Sequence, residues 1–61
     1  MLSITAIRDL TGLTQREFAG QYHIPYSTLQ KWEQGNRKCP EYTLELLERV
    51  VRIDLREHGG D

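Results

Sequence analysis

Along this 61-residue chain, apolar positions recur at intervals of three and four, the spacing of one face of an α-helix, and nowhere alternate as a strand would. Ile4, Ile7 and Leu10 predict a first helix over about Ser3 to Leu10, with Ser3 as its N-cap and Gly12 as its stop. A second helix starts at Thr14, where "TQRE" has the form of a capping box. In it, the Thr14 hydroxyl accepts from the Glu17 amide while the Glu17 carboxylate reaches back. Phe18, Ala19 and Tyr22 supply the apolar face of this helix, and Gln15 lies on that face but beyond the core. Gly20 sits inside it at a cost of about 1 kcal/mol relative to Ala, with no local reason.

A third helix is predicted from about Pro25 to Gln34. Pro25 suits the first helical position and Gly35 the left-handed stop. Leu29 and Trp32 share one face. Tyr26, Gln30 and Gln34, flanked by Ser27 and Lys31, are expected on the opposite one. Only "HIP" separates it from the second helix, so the two must cross sharply and leave the third exposed on one side. A fourth helix begins near Pro40 and meets no Gly or Pro before Gly59. It carries two apolar stripes about 150° apart: Leu44, Leu47, Val51 and Leu55, and Tyr42, Leu46, Val50 and Ile53. A surface helix needs one stripe. Two predict two partners, the chain's own core and a second molecule. Leu46, Val50 and Ile53 are assigned to a homodimer interface, formed by a C-terminal helix spanning 40–57. The competing reading, a helix wedged deep into its own domain, lacks material to surround it.

Size supports a partner. A chain this short buries only about 60% of its unfolded surface, and such a core supplies about 3–5 kcal/mol. The lone Cys39 closes no internal disulfide, and neither His23 nor His58 stands at zinc-ligand spacing from it, so no metal is expected. No apolar run is long enough for a membrane span or a signal peptide, which predicts a cytoplasmic protein without membrane association. No nucleophile–base set or phosphate loop is present, so neither an enzyme nor a cofactor is expected. Net charge is −1 overall but unevenly spread. Residues 14–40 carry Arg16, Lys31, Arg37 and Lys38 against Glu17 and Glu33, a net +2, while residues 41–61 carry a net −3.

The string "LTQREFA…HIPYSTLQKWEQGNRKCP" resembles the helix-turn-helix of the Cro/C1-type (XRE-type) repressor family. The likeness lies in Leu13, Thr14 and Gln15, then Phe18 and Ala19, then Ser27, Thr28 and Leu29, then Trp32, Glu33 and Gly35, with Pro40 after a basic loop. It covers residues 7–40 well and the last helix loosely. The resemblance implies an all-α fold: a compact bundle of four to five helices of the lambda-repressor-like DNA-binding type, with residues 1–61 as one domain. It also implies that Arg8 and Glu33 form an ion pair. Two departures stand out. His23 occupies a position where the family often has Gly, which predicts a left-handed backbone. Pro25 replaces a common Ser or Thr, removing a hydroxyl and an amide.

The polar face fits that implication chemically. A major groove admits an α-helix and displays donors and acceptors that amides, hydroxyls and cations read. Gln30 and Lys31 are expected to read base edges, with Ser27, Tyr26 and Pro25 beside them. Gln15 and Arg16 at the start of the second helix, and Asn36, Arg37 and Lys38 after the third, are expected to hold phosphates. Trp32 shares a face with Leu29 and reads as core, and His23 as a turn residue. The function expected is sequence-specific double-stranded DNA binding by a homodimeric repressor that occupies an inverted-repeat operator. Two alternatives share the pattern. One is an antitoxin-type regulator with a toxin protein as further partner; the other is an interaction module that has lost DNA binding.

Overall fold

The computed structural model describes residues 2–58, so Gly59, the expected end of the last helix, lies outside the described residues. Four helices make up the fold: α1 (Ile4–Thr11), α2 (Gln15–Gln21), α3 (Tyr26–Gln34) and α4 (Glu41–His58). Local chemistry sets their ends. The Ser3 hydroxyl accepts from the Ala6 amide, and Gly12 stops α1 in the left-handed conformation at φ 72°. At α2 both halves of the capping box form: the Glu17 amide donates to Thr14 Oγ1 at 3.2 Å, and the Thr14 amide donates to Glu17 Oε1 at 2.9 Å.

The connection from α2 to α3 turns on His23, the non-glycine residue with positive φ, at 57°. Just beyond it, the Ile24 amide donates to the Ala19 carbonyl at 2.9 Å, the long closing bond of a Schellman-type stop. Pro25 is the N-cap of α3, not its first helical residue as the sequence suggested. Its φ of −56° suits a helix, but its ψ of 130° is extended, and its ring has nothing to offer the free amides of the first turn.

Ile7, Phe18, Leu29 and Val51 are fully buried, one from each helix, with Ile4 and Ala19 beside them. Burying a side chain of this size contributes about 1.5–3 kcal/mol, so these few residues carry most of the fold. α1 packs chiefly on α4, and α2 on α3. From α4, Leu44 and Leu47 join Val51 against this core, as do Leu13 and Trp32 from the other elements. Two expectations fail. Leu10 is 41% exposed, because α1 turns its Ile4–Ile7 edge to the core and leaves its last turn outside. Leu55 is 38% exposed, one turn beyond Val51 and outside the core cluster. Burial raises the thiol pKa of Cys39, which stays a protonated, apolar filler.

Candidate nucleic-acid interface

α3 is held from behind by a carboxylate. Glu33, in the last turn of α3, receives Arg8 Nε at 2.8 Å and Arg8 Nη2 at 2.9 Å, a two-pronged contact across 25 residues of sequence. Arg8 also donates to the Leu13 carbonyl at 3.0 Å, and the Thr5 hydroxyl donates to Glu33 at 3.1 Å. The side chains are 19% and 6% exposed, so the pair is largely withdrawn from water. The Arg8 hydrogen bond holds the Glu33 carboxyl below its ordinary range against the opposing effect of burial. Gln15 and Thr5 add to the lowering. In return, Glu33 raises the guanidinium's affinity for its proton. One salt bridge thus ties α1 to α3, and Gln15 at the head of α2 belongs to the same cluster.

On the other side of α3, Ser27, Lys31 and Gln34 are exposed at i, i+4 and i+7, and Gln30 is half-buried at their flank. Tyr26 lies elsewhere than expected. It is half-buried and packs against the core. Three residues from Leu29 is about 60° around a helix, which places Tyr26 on the shoulder of the buried face and not opposite it. Its ring instead receives the Arg16 guanidinium, 4.4 Å from the centroid, so the starts of α2 and α3 are clasped together. Sequence reasoning assigned both residues to DNA and missed this contact. Nothing in the local pattern signals it, since it needs the crossing angle of the two helices.

Exposed residues Pro25, Asn36, Arg37 and Lys38 flank the two ends of α3, and Asn36 Nδ2 donates to Gln34 Oε1 at 3.0 Å. Charge on this segment is more one-sided than its sequence total. Glu17 is turned onto the Thr14 amide, which holds its carboxyl below the ordinary range. Glu33 is spent on Arg8. Arg16, Lys31, Arg37 and Lys38 are all exposed, and no salt bridge among the described residues engages them. Glu33 is withdrawn from water and Glu17 is occupied by its own helix cap, while the four cations are exposed and unpaired by any salt bridge among the described residues.

A short two-helix unit, a braced second helix and a cationic polar face define a helix-turn-helix protein. The helix-turn-helix family model matches residues 4–58, nearly the whole chain, and the protein belongs to this Cro/C1-type (XRE-type) DNA-binding family. No curated protein and no solved structure gives a significant match. Among the described residues, no helix is long and apolar enough to cross a membrane.

Proposed function

We propose that this protein is a homodimeric transcriptional repressor that works in the cytoplasm by occupying an inverted-repeat operator. The observation that carries this reading is the exposed face of α3. Ser27, Lys31 and Gln34, with Gln30 at the edge, offer hydroxyl, ammonium and amide groups with no carboxylate among them. Lys31 donates to guanine N7 and O6, and Gln30 pairs with adenine. Arg37, Lys38, Asn36 and Gln15 hold phosphates, which fixes the register of α3 in the groove. Arg16, braced over Tyr26, is a further phosphate contact, and Pro25 and Ser27 approach the backbone at the entry of α3. Occupancy of the operator by α3 is the mode of repression in this reading. The second copy covers Leu46, Val50 and Ile53 of α4.

The test separates readers from holders. Duplexes selected from random DNA by the wild-type protein are mutated base by base and titrated with variants. Replacing Lys31 or Gln30 by Ala costs about 1–3 kcal/mol and relaxes preference at particular base pairs. Replacing Arg37 or Lys38 weakens all sequences alike and lowers the salt slope by about one unit per lost contact. Lys31 and Gln30 variants that weaken every sequence equally would show a face that grips without reading.

A further inference from the structure

α4 is joined to the DNA-binding unit in an unusual way for so small a fold. Of the other three helices, its backbone packs closely on α1 alone. Its apolar contacts through Leu44, Leu47 and Val51 are non-directional and restrain its crossing angle only loosely, as a tendency with some scatter. A hydrogen bond restrains it more closely, because it weakens steeply away from its preferred distance and angle. Among the described residues, one side-chain hydrogen bond joins α4 to another part of the molecule. Tyr22, the C-cap of α2, donates its hydroxyl to Asp54 Oδ2 at 2.7 Å across 32 residues of sequence.

Both ends of that bond are well placed to transmit geometry. The Tyr22 ring is held by Phe18, with centroids 4.8 Å apart and planes inclined at 49°, and Phe18 is fully buried. The Tyr22 hydroxyl is therefore anchored to α2 and, through His23 and Ile24, to the entry of α3. Asp54 lies one helical turn beyond Val50 and next to Ile53, within the exposed apolar stripe of α4. Burial and the neighbouring carboxylate push the Tyr22 pKa up to about 12, so the hydroxyl keeps its proton, and the bond, throughout the neutral range.

We infer that Tyr22 and Asp54 are positioning residues that set the angle between α4 and the helix-turn-helix, and so the operator spacing the dimer accepts. The inference rests on the dimer reading. Two recognition helices joined through α4 are held at a distance set by the α4 orientation in each copy. Base pairs are about 3.4 Å apart along the axis, so a small rotation of a helix about 27 Å long is enough to misplace one reader by a step. With the hydrogen bond in place, α4 has one orientation. Without it, the apolar contacts allow several, and the dimer accepts several spacings.

The experiment uses the full chain and synthetic duplexes carrying a half-site selected by the wild-type protein, as inverted repeats whose spacers differ by one base pair, and as a single half-site. The wild type prefers one spacer over its neighbours by about tenfold or more, the scale of one mismatched pair. In Y22F the preference falls to about threefold or less, while single half-site affinity stays within about twofold. D54A removes the acceptor from a half-buried helical position and gives the same loss if Y22F folds poorly. D54N keeps an oxygen to accept from Tyr22 and retains the wild-type profile. A merely structural bond would weaken every spacer alike; that result, or an unchanged profile in Y22F and D54A, overturns the inference and leaves the dimer standing. A wild-type protein with no spacer preference overturns both, and does so before any variant is made.

Discussion

Glu33 shows how much one carboxylate can hold in a small chain. It accepts two prongs from Arg8 and a hydroxyl from Thr5, and it is 6% exposed. Removing Arg8 leaves that charge with one weak partner, a loss of about 3 kcal/mol, the lower end of the range for a buried pair because Arg8 is 19% exposed. A core of this size supplies about 3–5 kcal/mol in total, so R8A is expected to keep only about 0–2 kcal/mol of stability, seen as a much lower urea midpoint. The pH dependence follows from the sign of the shift. The folded Glu33 carboxyl sits below its ordinary value of 4.5, so its contribution is fully present above that value and is lost as pH falls through the folded value. Urea midpoints measured between about pH 6 and about pH 3 should fall for the wild type and fall less steeply for E33Q, which has no proton to gain. An equally steep decline in E33Q would place the acid sensitivity elsewhere.

At the scale of the elements, α2 is the helix with an evident weakness. It has seven residues, and one of them is Gly20. A Cβ built there meets nothing within 4 Å, so no packing reason excludes a side chain. Gly20→Ala is expected to stabilise the protein by about 0.5–1 kcal/mol through the lower backbone entropy of the unfolded chain. In a domain this small that raises the thermal midpoint by about 2–8 °C. A midpoint that does not rise would mean that an open Cβ position is not enough to predict the gain. The same helix illustrates what local signals can fix. Its N-terminal box depends only on residues within a few positions and was legible from them, whereas the left-handed His23 was legible through the resemblance to a family that often has Gly at that place.

The whole molecule is asymmetric: one face of α4 packs on the core, and its outer apolar stripe is largely left to solvent. Tyr42, Leu46, Val50 and Ile53 are 69%, 57%, 43% and 50% exposed. Along one flank of this stripe the surface of α4 is charged, with Arg49 paired to Glu45 and Arg52 to Glu48 as i, i+4 bridges. Stable interfaces take about 800 Å² per partner, so a single stripe must be supplemented by its surroundings, including the shallow groove between Ile24 and Leu47. Changing Val50 and Ile53 to Asp should yield a folded monomer, since neither side chain belongs to the core. Affinity for an inverted repeat should fall by about 10²-fold or more through loss of avidity, with single half-site affinity retained. Sedimentation shows the first effect and titration the second. A double variant that still sediments as a dimer would move the interface off this stripe.

What the sequence determined by itself was local: four helical periods, the Ser3 and Thr14 caps, the Gly12 and Gly35 stops, and the motif from Leu13 to Pro40, through which the family resemblance also gave the left-handed His23. Each rests on interactions reaching no further than a helical turn or on a spacing that can be counted. What only the tertiary structure decided was everything that depends on how the helices cross. Tyr26 has the same local setting as any polar position near a helix start, yet the crossing of α2 and α3 puts Arg16 over its ring. Leu10 fits the apolar period of α1 but stays 41% exposed at the edge of the core. Tyr22 and Asp54 are ordinary residues on two separate helices until the packing of α4 on α1 brings them to 2.7 Å. Periodicity specifies the face a residue occupies on its own helix, whereas the partner it meets is set by the angle and distance of another helix.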